Sequence, residues 1–422
     1  MKVLRRKRAI ILVALFLTYA SFFLCRSNVD AALPLLSKAY GYDKVELGRL
    51  SSLAILGYAV GKVSLGPLGD LVGGRRLMLV SILGSALASL GFGMSTSVAA
   101  LTVFAVANRW FQSGGWAGLV HVSSREFVST EHGSVMGTLS TSYEIGSALS
   151  LLFCGLLVEV GLSWRALFIV NPILMATVGF ATTRVLRRAT LSRDDTGTRR
   201  AEPLETGGAE EGAIRRAAWL ASLRPFWIAL SLSFLLTFVR TGFLTWTPTF
   251  LAEVTAKEGG SLSGAILKSA IFPATGVAGA LLAGRASDRW GPGRRAPVIA
   301  GSLCLLVISI LALAHAGLGG TTSILACLAT SGFFLLGPYS LVGGAIALDV
   351  GKTRAAATAA GLIDAAGYVG GSLAGVLLGT LAERRGWSAA FDALAVAAFV
   401  ASLVAAAWSF SLAVAVRSKA AL

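Results

Sequence analysis

Eight charged side chains lie inside long apolar segments of the sequence, where other charged residues are rare. They are Arg26, Asp30, Lys62, Arg109, Glu144, Arg240, Lys268 and Asp364. If these segments cross a membrane, each such charge costs about 2.5–3.5 kcal/mol or more at mid-depth. We therefore expect these side chains to face a water-filled cavity or to pair with one another.

Two of these arginines occupy matching positions in the chain. In both "RSNVDAALP" and "RTGFLTWTP" an arginine stands eight residues before a proline. A guanidinium stays charged and can hold a phosphate or a carboxylate through two parallel hydrogen bonds, and Lys62 adds a compact positive charge. The pattern indicates an anion clamp built from Arg26, Lys62 and Arg240. The alternative is that each cation has a structural acidic partner, such as Asp30 for Arg26 on the same helix face.

The elements that carry these residues are membrane-spanning helices. Hydrophobic residues make up 55% of the 422 residues, charged residues only 14%, and the mean hydropathy is +0.74. A soluble globular chain has about 25% charged residues. The composition therefore predicts an integral membrane protein.

The formal net charge of +16 raises the question of nucleic-acid binding. The basic residues, however, cluster between or outside the apolar segments, as in "MKVLRRKR", "GGRRL" and "DRWGPGRR". Such a bias marks the cytoplasmic side of a membrane protein. We expect no nucleic-acid partner, an integral plasma or inner membrane location, and both termini in the cytoplasm.

Each spanning helix needs about 20 predominantly apolar residues, and the chain offers twelve such segments in two sets of six. They are 9–36, 46–70, 76–95, 98–122, 133–160, 164–185, 225–252, 262–287, 295–316, 321–349, 354–383 and 387–416. The hydrophilic stretch between the sets suits a flexible cytoplasmic linker. We predict a six-helix half at 1–186, a linker at 187–224 and a second six-helix half at 225–422.

The two predicted halves resemble each other in sequence. "GPLGDLVGGRR" matches "GRASDRWGPGRR", "GLLVEVGLSWRALF" matches "GTLAERRGWSAAF", and "YEIGSALS" matches "GYVGGSLA". An internal repeat at this scale is the signature of a duplicated structural unit. Two six-helix halves related by an axis along the membrane normal are the construction of major facilitator transporters, and this is the fold class that we predict.

The short loops with paired arginines have a predicted role of their own. Their aspartates can cap a neighbouring helix, and their arginines can pair with acidic residues at adjacent helix ends. The residues of this candidate cytoplasmic gate are Asp70, Arg75, Arg76, Asp288, Arg294 and Arg295. Such a cluster would hold the cytoplasmic side closed and break when the protein opens inward. The alternative is that these arginines only set the topology.

Five stretches carry a closer resemblance. They are "LCRSNVDAALPLL", "YAVGKVSLGPLGD", "NRWFQSGGW", "VRTGFLTWTPTFL" and "TAAGLIDAAGYVGGSLAG". Together they resemble the organophosphate:phosphate antiporter family, which includes glycerol-3-phosphate and hexose-phosphate transporters. The resemblance implies exchange of an organic phosphate for inorganic phosphate. It also implies that Arg26 and Arg240 hold the phosphate, with Lys62 nearby.

The chain departs from that family at several positions in the site. Tyr143 stands where bacterial glycerol-phosphate members carry a histidine, and Asp30 and Asp364 have no recognised counterpart. The candidate substrate-binding residues are Arg26, Lys62, Arg240, Tyr143, Trp116, Asp364 and Tyr368. The coupling candidates are Asp30 and Glu144, since a carboxylate that titrates would couple transport to protons.

Three functions are compatible with these residues. The first is an organic phosphate antiporter, and the second is a proton-coupled carrier of another organic anion, such as a carboxylate, coupled through Asp30, Glu144 or Asp364. The third is a transport-inactive receptor, which we expect to need a signalling extension that this chain lacks.

Enzyme chemistry has no support in the sequence. There is no P-loop, no G-x-S-x-G nucleophile elbow and no cluster with metal-ligand spacing. We expect no enzyme activity, no cofactor and no metal. The expected partners are a small anionic substrate and membrane lipid, and the expected state is a monomer.

Overall fold

The computed structural model describes residues 2–65, 72–127, 132–194, 213–290, 295–315, 320–342 and 346–420. Within these residues the regular elements are helices and no β-strand is formed. The helices are α1 (Lys2–Phe22), α2 (Ser27–Tyr40), α3 (Lys44–Leu65), α4 (Gly74–Met94), α5 (Val98–Glu126), α6 (His132–Glu159), α7 (Val170–Asp194), α8 (Ala213–Ala221), α9 (Arg224–Lys257), α10 (Leu262–Ser269), α11 (Ile271–Trp290), α12 (Arg295–His315), α13 (Thr321–Leu341), α14 (Ala347–Arg385) and α15 (Trp387–Ala420). Two 3₁₀ helices, Phe23–Cys25 and Trp164–Phe168, precede α2 and α7.

Ten stretches of the described helices are long and apolar enough to cross a membrane. They are Arg6–Tyr40, Gly74–Met94, Val135–Glu159, Trp164–Ala189, Arg224–Lys257, Leu262–Ala286, Ala296–His315, Thr321–Leu341, Thr358–Arg385 and Trp387–Phe410. The other two predicted segments are also helical and form α3 and α5. They are less apolar because they carry charged and amide side chains, among them Lys62, Arg109 and Gln112. The predicted all-α membrane fold is confirmed.

The described residues form two compact units. One unit comprises residues of Met1–Glu205 together with Leu251–Ala270, and the other comprises residues of Thr206–Phe250 together with Ile271–Leu422. The end of α9 and all of α10 therefore pack with the first set of helices. The boundaries predicted at 186 and 225 remain a prediction.

The same close contacts between helices occur within each of the two units. A Cβ added at Gly146 in α6 would lie 2.6 Å from the backbone oxygen of Ala20 in α1. In the second unit, a Cβ added at Gly367 in α14 would lie 2.6 Å from Oγ1 of Thr237 in α9. The first predicted segment thus packs against the fifth in the same way as the seventh packs against the eleventh. Gly370, which is the position of "GYVGGSLA" that matches Gly146 of "YEIGSALS", likewise packs against the backbone oxygen of Phe234 in α9.

A second helix pair repeats in the same way. A Cβ at Gly57 in α3 would lie 2.9 Å from the side chain of Val106 in α5. A Cβ at Gly279 in α11 would collide with the backbone oxygen of Phe333 in α13. The second and fourth segments therefore pair as the eighth and tenth do. The internal repeat seen in the sequence is a repeat of helix packing.

We expect Gly146→Leu to lower the melting temperature of the detergent-solubilised protein, because leucine would collide with the backbone of α1. Overpacking of this kind costs about 1–3 kcal/mol. Gly137→Leu is the matched control in the same helix, since a Cβ at Gly137 meets no atom within 4 Å. Equal melting temperatures for the two variants would contradict the close contact between α1 and α6.

Candidate functional site

The helix that carries Arg26 is interrupted at that residue. α1 ends at Phe22, a 3₁₀ turn follows, and Arg26 has φ −110° and ψ −57° before α2 begins at Ser27. Such a break leaves backbone carbonyls without their usual partners within the helix. In a membrane these groups need partners from neighbouring helices.

Side chains from neighbouring helices supply those partners. Gln112 Nε2 in α5 donates to the backbone oxygen of Cys25 at 2.9 Å, and Asn171 Nδ2 in α7 donates to that of Leu24 at 3.1 Å. Arg109 Nη2, also in α5, donates to the backbone oxygen of Arg26 at 3.2 Å. Three long polar side chains therefore stabilise the break at three successive residues.

The side chain of Arg26 is held by both an amide and aromatic rings. Its Nε donates to Gln112 Oε1 at 2.9 Å. Its guanidinium carbon lies 4.7 Å from the ring centre of Phe23 and 4.4 Å from that of Tyr58. Cation–π contacts contribute about 0.5–2 kcal/mol, more where water is excluded. These contacts fix the position of a half-buried guanidinium.

Lys62 shares one of these rings with Arg26. Its Nζ lies 5.4 Å from the ring centre of Tyr58, and the guanidinium carbon of Arg26 lies 4.4 Å from the same point. Both positive charges are therefore next to one ring. The Tyr58 hydroxyl lies 3.4 Å from that of Tyr19. Two cations this close repel each other, and an anion placed beside them relieves that repulsion. The first unit thus brings together two of the three predicted clamp residues.

Aromatic side chains extend from this cationic pair. Tyr19 lies 4.9 Å from Trp116, and Phe23 lies 6.5 Å from Tyr143, measured between ring centres. Trp116 and Tyr143 are half-buried. The structure thus brings both of these predicted substrate-binding residues to the rings that pack around Arg26.

Arg240 lies in the second unit, within the continuous helix α9. Its guanidinium carbon is 4.9 Å from the ring centre of Tyr339 in α13. Asp364 and Tyr368 are half-buried and lie one turn apart on α14. That helix packs closely on α9 through Gly367, next to the turn that carries Arg240.

The two coupling candidates of the first unit are buried. Asp30 is 8% exposed and lies in the first turn of α2, whereas Glu144 is 2% exposed in α6. Burial of a carboxylate in a membrane segment is costly and typical of functional positions. The ion pair between Asp30 and Arg26, and any role of either carboxylate in coupling, remain predictions.

Two of the six residues of the predicted cytoplasmic gate lie outside the described residues. Asp70 and Arg294 lie outside them altogether. Arg75 and Arg76 lie in the first turn of α4, the former half-buried and the latter exposed. Asp288 lies in the last turn of α11 and Arg295 at the start of α12. The gate therefore stays a prediction.

A different set of contacts joins helix ends within the first unit. Lys44 Nζ, at the start of α3, lies 2.9 Å from Glu253 Oε1 near the end of α9. Ser263 Oγ in α10 donates to Glu159 Oε2 at the end of α6. Near these contacts, Gly155 in α6 packs closely against α10. Segments from both sets of predicted helices thus meet at the end of this unit where α3 begins.

The residues missing from the sequence prediction are amides. Gln112, Asn108 and Asn171 are all buried in apolar helices. Gln112 Nε2 also donates to Asn108 Oδ1 at 2.8 Å, and Asn108 Nδ2 donates to the backbone oxygen of Ser85 at 2.9 Å. An amide within an apolar segment is the available sequence signal, but it does not reveal the partner.

The helical membrane fold, its repeated packing and the half-buried cations within its helices define the class of a multi-pass membrane carrier. The family description "Major Facilitator Superfamily" matches residues 15–374. The chain belongs to the Major Facilitator Superfamily.

Two relatives are similar in sequence, and one solved structure is similar in fold. The chain is 29% identical to the probable hexose phosphate transport protein of Chlamydia trachomatis over 417 residues, covering 93% of this chain and 89% of that protein. It is 29% identical to the membrane sensor protein UhpC of Salmonella typhimurium over 405 residues, covering 93% and 90%. The structure of nucleoside transporter NupG matches with a TM-score of 0.73 at 14% identity, covering 94% and 99%.

These findings decide several of the predictions. The resemblance to the organophosphate:phosphate antiporter family is confirmed, as are multi-pass membrane integration and membership of a family of carriers rather than enzymes. The similarity to UhpC spans 90% of a protein named as a membrane sensor, so the receptor stays an open alternative.

Proposed function

We propose that the chain is a secondary transporter that exchanges an organic phosphate for inorganic phosphate by alternating access. Arg26 and Arg240 would hold the phosphate group, with Lys62 beside Arg26. The single observation that carries this proposal is the arrangement of Arg26 and Lys62 around the ring of Tyr58. Two half-buried cations beside one aromatic ring form a site that an anion would stabilise.

The chemistry of the clamp favours a phosphate. Phosphate offers several acceptor oxygens and a charge near −2, which suits a guanidinium with parallel N–H donors and a second cation close by. Arg240 supplies a matching guanidinium on the second unit, beside Tyr339. The similarity to a probable hexose phosphate transport protein supports the same substrate class.

The aromatic rings favour a sugar as the organic part. Trp116 and Tyr143 are half-buried and belong to the ring cluster around Arg26. A hexose has apolar C–H faces that can stack on such rings, whereas a glycerol group has little surface for stacking. We therefore propose a hexose phosphate as the substrate. We also propose that the carrier is a monomer in a plasma or inner membrane, with both termini in the cytoplasm.

The clamp is tested by exchange of labelled phosphate in proteoliposomes. We expect Arg26→Lys and Arg240→Lys each to slow phosphate exchange by about tenfold or more, because lysine cannot form the two parallel hydrogen bonds. Arg49→Lys is the matched control, since Arg49 is an exposed arginine on α3. Normal exchange by both variants would rule out the clamp. Saturable flux that prefers hexose phosphate over glycerol phosphate would support the proposed organic part.

A proton-coupled carrier of another organic anion is the second candidate function. The observation that favours it is the burial of Asp30 and Glu144 at 8% and 2% exposure. For an antiporter, we expect phosphate exchange to proceed without a pH gradient. We expect the same of the variants Asp30→Asn and Glu144→Gln. Uptake that requires a pH gradient and loses this requirement in either variant would favour the second candidate. Binding without flux would indicate a sensor.

If the predicted halves 1–186 and 225–422 rock against each other, the contact between Lys44 of the first half and Glu253 of the second must separate during transport. We expect a short, reducible thiol cross-linker between Lys44→Cys and Glu253→Cys to block exchange, and reduction to restore it. The control pair is Tyr42→Cys with Thr96→Cys, since the Tyr42 hydroxyl donates to the backbone oxygen of Thr96 within the first set of helices. Undiminished exchange by the cross-linked Lys44–Glu253 pair would contradict opening at this end.

A further inference from the structure

One buried amide connects the break in the first span to the guanidinium of Arg26. Gln112 in α5 is 0% exposed. Its Nε2 donates to the backbone oxygen of Cys25 at 2.9 Å, and it lies 3.4 Å from that of Phe22. Its Oε1 accepts from Arg26 Nε at 2.9 Å. The two ends of one amide thus serve the backbone and the side chain of the same turn.

The orientation of this amide follows from the chemistry of its partners. A guanidinium only donates hydrogen bonds, and a backbone carbonyl only accepts them. The amide oxygen must therefore face Arg26, and the amide nitrogen must face the carbonyl of Cys25. Asn108 Oδ1 accepts from the same nitrogen at 2.8 Å and keeps it on that side.

The hydrogen bond to Gln112 restricts how Arg26 can hold an anion. A guanidinium can bind a phosphate either through its two Nη groups or through Nε together with one Nη. Because the Nε–H group already donates to Gln112 Oε1, binding through Nε and one Nη would require that hydrogen bond to break. The rings of Phe23 and Tyr58 further limit rotation of the guanidinium plane.

We infer that Gln112 is a positioning residue for anion binding, which holds Arg26 so that its two Nη groups receive the phosphate. This inference rests on the proposed function, because it assigns Gln112 a role at the proposed phosphate site. Gln112 itself need not touch the substrate. Its effect on the KM for phosphate arises through the orientation of Arg26.

The test compares Gln112→Met and Gln112→Glu with Asn171→Leu. Asn171 is the matched control because it donates to the backbone oxygen of Leu24 at the same break, and no hydrogen bond from Asn171 to Arg26 is seen among the described residues. We expect Gln112→Met to raise the KM for phosphate by about tenfold, as expected for loss of a hydrogen bond to a charged group, with a smaller change in kcat. Asn171→Leu should lower the melting temperature and leave this KM within about twofold.

Gln112→Glu separates orientation from charge. A carboxylate retains the acceptor for Arg26 Nε. It also offsets the positive charge of the guanidinium and removes the donor to the backbone oxygen of Cys25. We expect its KM for phosphate to rise and its Arg26 to stay oriented. If Gln112→Met fails to fold, Gln112→Leu takes its place, because it also removes the acceptor for Arg26 Nε. An unchanged KM in the folded apolar variant would overturn the inference.

Nitrogen-15 NMR of arginine Nε–H groups provides a readout that does not depend on transport. The signal of Arg26, assigned by its absence in Arg26→Lys, should exchange slowly with water in the parent protein, in Gln112→Glu and in Asn171→Leu. It should exchange rapidly in Gln112→Met. If the parent protein binds no inorganic phosphate, the proposed function is wrong, and the NMR comparison still decides whether Gln112 holds Arg26. Equal exchange in the parent and in Gln112→Met would overturn that role.

Discussion

The site depends on one constraint: a broken helix inside a membrane must find hydrogen-bond partners within the protein. The 3₁₀ turn Phe23–Cys25 interrupts the first span next to Arg26. Carbonyls buried at such a break need partners within the protein, because each unsatisfied group would cost several kcal/mol. Gln112 and Asn171 satisfy two of them from neighbouring helices. The backbone break and the placement of the arginine are therefore one structural feature.

This requirement explains the composition of α5. A helix that must supply amide and guanidinium donors to its neighbour cannot also be uniformly apolar, and α5 is not among the ten stretches that qualify as spans by hydropathy. Its buried polar side chains bond to α1, α4 and one another rather than to lipid, as in the contact of Asn108 with Ser85. Protein contacts on these polar groups keep the helix compatible with a membrane. The same residues order the site.

The sequence carried enough information for the class, the helices and the position of the arginines. Apolar length predicts the spans, and the repeat predicts the pairing of helices that Gly146 and Gly367 mediate. The partners of Arg26 could not be predicted, because Gln112 lies 86 residues away and nothing local to either residue specifies the contact. The aromatic partners Tyr58 and Tyr339 come from other helices for the same reason. Local pattern reveals which residues are costly in a membrane, and only the packed structure reveals what makes each cost tolerable.

The two arginines, equivalent in sequence, differ in their local backbone. Arg26 stands at a helix break, where an amide fixes its Nε and a ring on the next helix supports its plane. Arg240 lies within the continuous helix α9, which runs from Arg224 to Lys257 through Pro248. The side chain at the break is tied to the geometry of its own helix, so any shift of that turn moves the guanidinium with it. The repeat therefore preserves a positive charge at both positions of the proposed clamp, while the backbone around that charge differs between them.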